Sequence, residues 1–236
     1  MSAVVRQLAE CDEEALDATG GSVRTSLDPT SGCPRLVQRE LRLRAGSSAT
    51  ASSNATAGEL WYVASGSGTF LHEGRAWSVT PGTALLVPPG EHTVVADGAE
   101  DLAVVVVVLP GDDELPVAGV TKAHFDDSPE ERTGDRTFRV LIGAHQGFSR
   151  ATQFVGNIPP SRAPLHEHTY DEVVMVLAGH GVVHIDDGTW DLAPGTCIYL
   201  PPGTKHCLEN DGDSTLRVLG VFCPGGTPAA KRVITS

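Results

Sequence analysis

Short apolar runs recur along the chain and alternate with residues that favour turns. The runs are rich in Val, Leu and Ile, as in residues 103–109 and 173–177, and Gly, Pro, Asn and Asp separate them. Helix signals are sparse, although residues 8–18 are predicted to form a short helix. With 26 Gly and 16 Pro among 236 residues, this punctuation favours an all-β fold made of many short strands.

The same sequence frame occurs twice at a constant spacing. Glu59 begins the run ELWYVASGSG, and Glu172 begins the run EVVMVLAGHG. Glu59 and Glu172 are 113 residues apart, and so are Gly90 and Gly203, each of which ends a Pro-Pro-Gly sequence. A long repeat that aligns without a gap predicts two tandem domains.

The repeat divides the chain into five predicted segments. An arm covers residues 1–20, a first domain covers residues 21–110, and an acidic linker covers residues 111–134. A second domain covers residues 135–226, and residues 227–236 form a tail. Charge runs such as those in the linker are typical of solvated connectors, so no binding role is assigned to this segment.

Candidate metal ligands are concentrated in the second domain. His166 and His168 stand two residues apart, and on a strand both imidazoles project from the same face. Glu172 follows four residues later, and His206 comes after a Pro-Pro-Gly turn. Imidazole and carboxylate groups are common ligands of divalent metals. These four residues therefore predict one metal site, in which each neutral imidazole binds through one nitrogen and an acceptor holds the other nitrogen.

The first domain lacks this ligand set. Across the 113-residue spacing, the three histidines correspond to Ser53, Ala55 and Thr93. Glu59 keeps the position of Glu172, but one carboxylate does not hold a divalent ion. His92 precedes the ligand position by one residue, and a one-residue shift turns a strand side chain to the opposite face. The first domain is therefore predicted to carry no metal and to serve the fold only.

The order His-x-His-x3-Glu, followed by Pro-x-Gly-x2-His, resembles the two motifs of the cupin superfamily. Flanking residues fit the same pattern: Gly179, Gly181, Gly195 and Asn210. The resemblance implies two tandem cupin barrels of the double-sheet jelly-roll type, with the metal site kept only in the second. Cupins with this ligand set commonly hold iron, manganese or nickel. Iron or manganese is favoured here, with nickel, cobalt, copper and zinc as alternatives.

Strand alternation also predicts the lining of the site. Val174 and Val176 share the face of Glu172, and Ile198 and Leu200 point inward on the strand that leads to His206. This lining is mostly apolar, as expected of a site that excludes water around a metal.

Two further residues are candidates for catalysis. Arg162 lies in the loop before His166 and is the best nearby candidate for a cation that binds a substrate carboxylate or enolate; the alternative is an exposed loop position. Tyr170 lies between the ligands, where it could donate a proton or pack at the mouth of the barrel.

Three functions remain open on this basis. The first is a dioxygenase for a small substrate that chelates the metal through enolate, carboxylate or phenolate oxygens, because the ligand set resembles that of quercetin dioxygenases, oxalate oxidases and acireductone dioxygenases. The second is redox-neutral Lewis-acid chemistry by an isomerase, a decarboxylase or a hydrolase similar to ureidoglycine aminohydrolase, whose usual ligands differ at three of the four positions. The third is a non-catalytic cupin that binds a small molecule, against which the four retained ligands argue.

Charge and hydropathy narrow the range of partners. The formal net charge of −13 argues against binding to nucleic acid, since the phosphate backbone repels an acidic protein. No apolar run has the length of a membrane span, and the first residues lack a secretory signal, so a cytoplasmic location is expected. Five cysteines without a C-x2-C pair suit reduced thiols. A small-molecule substrate is expected, and a homodimer remains possible.

Overall fold

The structure is a computed structural model that describes residues 2–16, 20–53, 58–109, 111, 119–230 and 232–234. Strands dominate these residues, short 3-10 turns occur at Leu8–Glu10, Pro29–Ser31 and Ala144–Gln146, and no α-helix occurs among them. The predicted all-β class is therefore confirmed. No described helix has the length and apolar character needed to cross a membrane.

The strands of the first half of the chain are β1 (Val4–Gln7), β2 (Glu13–Leu16), β3 (Gly21–Leu27), β4 (Val37–Leu43), β5 (Ser48–Ser53), β6 (Glu59–Ser65), β7 (Gly68–His72), β8 (Arg75–Val79), β9 (Thr83–Val87), β10 (Gly90–Val95) and β11 (Leu102–Val108). Those of the second half are β12 (Thr121–His124), β13 (Glu131–Thr133), β14 (Arg136–Ile142), β15 (Thr152–Ile158), β16 (Ser161–Arg162), β17 (His166–Glu167), β18 (Asp171–Ala178), β19 (Gly181–Ile185), β20 (Gly188–Leu192), β21 (Thr196–Leu200), β22 (His206–Asn210), β23 (Leu216–Cys223) and β24 (Arg232–Val233).

These strands form two compact units. The first unit comprises Cys11–Pro29 and Pro34–Asp127, and the second comprises Met1–Glu10, Thr30–Cys33 and Ser128–Ser236. The first unit contains one sheet in the order β12-β9-β6-β11-β4-β3-β2 and another in the order β5-β10-β7-β8. The second unit contains the corresponding pair, β1-β21-β18-β23-β15-β14-β13 and β20-β19-β22-β17-β24, with β16 added beside β22. Two domains of double-sheet architecture are thus confirmed.

Each unit has its own apolar core between its two sheets. In the second unit this core includes Val174, Val176, Ile198 and Leu200, each with at most 3% of its surface exposed. The predicted inward orientation of these four side chains is confirmed. Alternation places them there because every second residue of a strand points to the same face.

The predicted segment boundaries differ from the observed units at three places. β1, from the predicted arm, pairs with β21 of the second unit. The acidic linker contains β12, which pairs with β9, and β13, which pairs with β14. The predicted tail contains β24, which pairs with β17. Edge strands need main-chain hydrogen bonds but few apolar side chains, so composition does not reveal them.

The helix predicted for residues 8–18 is wrong. Leu8–Glu10 forms a single 3-10 turn, and Glu13–Leu16 is a strand paired with β3, while residues 17 and 18 lie outside the described residues. Pairing with a neighbouring strand satisfies the main chain of this short segment, and such tertiary contacts override a weak local helix preference.

Candidate metal centre

Three histidines of the second unit converge on one point. β17 and β22 are antiparallel neighbours, and their pairing sets His166 directly opposite His206. His168 follows two residues after His166 on the same side of the chain. One ring nitrogen from each of the three imidazoles lies within 4.8 Å of the others, and all three side chains are buried. The structure therefore brings together the three histidines that the spacing selected.

Main-chain carbonyl groups fix the tautomer of each imidazole. A carbonyl oxygen only accepts hydrogen bonds, so the Nδ1 atom that contacts it must carry the hydrogen. Nε2 is then left as an unprotonated lone pair, which is the form that binds a metal. The Nδ1 contacts are His166 to Pro164 at 2.9 Å, His168 to Ala230 at 3.2 Å and His206 to Thr204 at 2.9 Å. Burial lowers the pKa of His206, which also favours the neutral ring.

Glu172 completes the cluster from β18. Its Oε2 lies 3.8 Å from Nε2 of His168 and 3.6 Å from Nε2 of His206. Burial raises the pKa of this carboxyl group from its ordinary value of 4.5 to about 8. Among the described residues, no group donates a hydrogen bond to Oε2, although this atom is buried. A buried polar atom without a partner is unfavourable, and a cation bound between these side chains would satisfy it.

The donor set fits a divalent metal ion. It combines three neutral nitrogens and one carboxylate, a mixture that suits iron, manganese and other first-row metals. The orphaned oxygen of Glu172 and the three Nε2 lone pairs face the same small space. The three histidines converge, and Glu172 lies within 4 Å of two of them, so the site can hold one divalent ion.

Tyr170 packs on the cluster and does not point its hydroxyl into it. Its ring stacks on His168 with centroids 4.9 Å apart and an angle of 16° between the planes. The hydroxyl donates to the main-chain oxygens of Thr227 and Ala230, each at 3.1 Å. Burial raises the pKa of Tyr170, so the hydroxyl stays protonated. This geometry supports the packing alternative, in which Tyr170 positions His168 and the segment that contains Ala230.

Arg162 lies on the surface beside Glu209. More than half of its side chain is exposed, and its Nε lies 3.7 Å from Oε2 of Glu209. The same carboxylate oxygen contacts Nε2 of His184 at 2.7 Å. The three histidines line a small cavity, and Arg162 is not among the other residues of its wall. The alternative of an exposed position therefore describes this residue, and its proposed contact with substrate has no support from its placement.

Another arginine, Arg136, lines the cavity in its place. It begins β14, only 11% of its side chain is exposed, and its Nη2 donates to the main-chain oxygen of Leu208 at 2.6 Å. Burial lowers the pKa of Arg136. Sequence reasoning missed this residue because it is 30 positions before His166. Its alternation with Phe138, which faces the same cavity, was the available signal.

The cavity itself is small and largely apolar. It measures about 80 Å³, and the polar part of its wall consists of the metal-ligand candidates, Arg136, Thr133 and Thr137. Gly156 and eight apolar residues complete the wall: Phe138, Phe154, Ile158, Val174, Leu208, Val218, Phe222 and Pro228. The site can therefore enclose a small polar group with few surrounding water molecules.

The prediction that His92 points away from the ligand position of the first unit is wrong. β10 pairs with β7 so that His92 faces His72, and β22 pairs with β19 so that His206 faces Ile185. His72 and Ile185 are 113 residues apart, whereas His92 and His206 are 114 apart, because the turn after Pro-Pro-Gly is one residue longer in the second repeat. His92 therefore takes the place of His206 and is buried.

The other ligand positions of the first unit hold no histidine. Ser53, at the position of His166 in the 113-residue spacing, donates its hydroxyl to Oε1 of Glu59 at 2.9 Å. Thr93, which the same spacing had matched to His206, instead bonds Thr50 on the exposed face. Ala55 lies outside the described residues. Within the described part of this unit, no group of three metal-ligating side chains converges.

Comparison with known proteins agrees with this architecture. An uncharacterized protein from Methanocaldococcus jannaschii is 35% identical over 81 residues, which is 34% of this chain and 62% of that protein. Acireductone dioxygenase from Bacillus anthracis is 34% identical over 62 residues, which is 24% of this chain and 36% of that enzyme. The matched region thus spans less than two thirds of either relative.

The fold is similar to that of oxalate decarboxylase from Bacillus subtilis, in a solved structure whose description names Mn(II) centers. The TM-score is 0.76 at 16% identity, over 98% of this chain and 79% of that chain. Identity this low supports the fold alone. The cupin domain family matches residues 39–108 and 154–222, which together exceed half of the chain. The protein therefore belongs to the cupin family, as a bicupin with one domain in each unit.

Proposed function

We propose that this bicupin is a metal-dependent dioxygenase for a small anionic substrate that chelates the metal ion. The ion is held by His166, His168, Glu172 and His206, with iron or manganese favoured. When bound, it supplies Lewis-acid activation of the chelated oxygens and electron transfer with dioxygen. The protein supplies the ligands, a small and largely apolar cavity, and a cation for the substrate.

One observation carries the metal assignment. Oε2 of Glu172 is buried and has no hydrogen-bond donor among the described residues. It lies within 4 Å of Nε2 of His168 and of His206. In both rings Nδ1 contacts a main-chain carbonyl, which leaves Nε2 unprotonated. A purely structural cluster would place a donor on this oxygen. An arrangement that leaves it unsatisfied, beside unprotonated imidazole nitrogens, is suited to a cation.

The cavity favours a small anionic substrate. Its volume of about 80 Å³ equals that of a few water molecules, each of which takes about 30 Å³ in the liquid. Arg136 is the cation in its wall, and its position is held by the bond to Leu208. A carboxylate or enolate oxygen can pair with this guanidinium while the substrate's other oxygens chelate the metal.

The local similarity to acireductone dioxygenase supports an oxidative reaction, and it covers about a quarter of the chain. The fold of oxalate decarboxylase is shared as well, so a redox-neutral decarboxylation is the alternative that an experiment must separate.

Oxygen uptake tests the proposal. The purified protein is analysed for metal, loaded with Fe(II) or Mn(II), and assayed with oxalate, a 2-oxo acid and an enediol in an oxygen electrode and under anaerobic conditions. We expect oxygen consumption that requires the metal and is lost in His206→Ala. His184→Ala, which changes an imidazole outside the cluster, serves as the matched control. Stoichiometric zinc with substrate conversion but no oxygen consumption would refute the dioxygenase assignment and favour the redox-neutral one.

Arg136 provides a second test of the same site. Loss of a charge-assisted hydrogen bond costs about 1.5–3 kcal/mol, so Arg136→Leu should lower kcat/KM by roughly 10- to 100-fold. Arg162→Leu, which removes the exposed arginine, should change it less than about twofold. Equal effects of the two substitutions would contradict the role given to Arg136.

A further inference from the structure

The first unit, which lacks the three-histidine set, contains a cavity that is larger than the one at the metal centre of the second unit. The cavity measures about 300 Å³, against about 80 Å³ at the metal centre. Pockets that bind small molecules have volumes of about 300–1,000 Å³.

The carboxyl group of Glu59 is satisfied by the fold and does not require a metal. Oε1 accepts a hydrogen bond from Ser53 at 2.9 Å, and Oε2 accepts one from Nε1 of Trp61 at 2.8 Å. In contrast, Oε2 of Glu172 has no donor among the described residues. Glu59, which holds the position of Glu172 in the first unit, therefore has a structural role.

His92 contributes a neutral ring to the wall of this cavity. The ring is buried between aromatic neighbours: it stacks on Phe70 with centroids 5.6 Å apart and meets Trp61 edge-on at 5.1 Å. Burial lowers its pKa. His92 therefore adds aromatic surface to the cavity and no positive charge.

Arg39 is the positively charged residue of the cavity wall. It lies on β4, where Arg39 and Leu41 face the cavity and Gln38 faces the opposite side and bonds Ser26. The side chain is half-buried, and its Nε has no hydrogen-bond partner among the described residues. A guanidinium in this position favours an anion, because charged groups removed from water need a partner.

We propose that the first unit binds a small organic carboxylate without a metal ion. The carboxylate pairs with the guanidinium of Arg39, and the apolar body of the ligand lies against Leu41, Val106 and the ring of Trp61. Charge selects an anion because Nε of Arg39 has no hydrogen-bond partner among the described residues, whereas each carboxylate oxygen of Glu59 already has a donor. The mostly apolar remainder of the wall selects a ligand with an aliphatic or aromatic body. This site is separate from the metal centre and does not depend on the function proposed for it.

Calorimetric titration of the full-length protein tests the proposal, with benzoate and valerate as probes and benzamide as the uncharged analogue of benzoate. We expect one carboxylate site per chain that persists when the metal is removed with a chelator, and binding of benzamide at least tenfold weaker. Arg39→Gln should weaken benzoate binding about 10- to 100-fold, the range for a charge-assisted contact. Arg42→Gln is the matched control, since Arg42 lies on the same strand with half of its side chain exposed.

Arg39→Lys separates loss of charge from loss of structure. It should retain measurable benzoate affinity, and thermal unfolding of each variant shows whether the first unit is intact. Three outcomes would overturn the proposal: neither carboxylate binds saturably, benzoate and benzamide bind equally, or a folded Arg39→Gln protein binds benzoate as the wild type does. Binding that disappears on chelation would assign the carboxylate to the metal centre and would also overturn it.

Discussion

Glu172→Gln should have opposite effects on the metal-free and metal-loaded protein. In the metal-free protein, burial raises the pKa of Glu172 from 4.5 to about 8. The folded state therefore binds a proton more tightly than the unfolded state, and this contribution to stability is lost as pH rises from the unfolded value through the folded one. Glutamine does not ionise, so the stability of the Glu172→Gln protein lacks this pH dependence.

The magnitude follows from the same values. One pH unit corresponds to about 1.4 kcal/mol per proton, so ionisation of Glu172 disfavours folding by about 3 kcal/mol at pH 7 and about 5 kcal/mol above pH 8, relative to low pH. Glu172→Gln should remove most of this effect. We expect the metal-free variant to be more stable than wild type, by an amount that rises between about pH 5 and pH 8 and then levels off.

Urea denaturation in chelator at several pH values measures this difference. With Mn(II) added, the order should reverse, because the variant lacks the carboxylate of the proposed ligand set and gains less from the metal. Glu59→Gln is the matched control: Glu59 accepts bonds from Ser53 and Trp61, so the amide should destabilise the first unit by about 1–3 kcal/mol. A metal-free Glu172→Gln protein that is less stable than wild type at pH 8, or a difference that does not vary with pH, would refute this account of the site.

Three further predictions concern the metal centre. His206→Ala should lower metal affinity by more than about 100-fold, exceeding the 10- to 100-fold effect of losing a residue that only supports a ligand, whereas His184→Ala should leave the metal content measured by mass spectrometry unchanged. Tyr170→Phe should lower the free energy of unfolding by about 1 kcal/mol and weaken metal binding severalfold, because the Tyr170 hydroxyl donates to the Ala230 carbonyl that contacts His168. If urea denaturation and metal titration both give wild-type values, this positioning role is contradicted. Chelation of metal present at about 100 times its Kd should lower stability by about 3 kcal/mol, and equal loss in the His206→Ala protein would show that the stabilising ion binds elsewhere.

The amino-acid sequence by itself determined the all-β class, the twofold repeat and the three histidines that converge in the second unit. Each depends on local spacing. His166 and His168 share a face because strand side chains alternate, and the same rule placed Val174 and Ile198 in the core. The repeat added a comparison inside the chain, which separated residues needed for the fold from those present only at the metal centre.

Tertiary structure alone decided the features that depend on how distant segments pair. His92 takes the place of His206 because a turn differs by one residue, and alternation amplifies that single residue into a reversal of the side chain. Arg136 reaches the metal cavity from β14, while Ala230 supplies a carbonyl to His168 from beyond the last core strand. Such contacts arise where strands far apart in sequence pair, so the spacing of residues within one strand does not predict them.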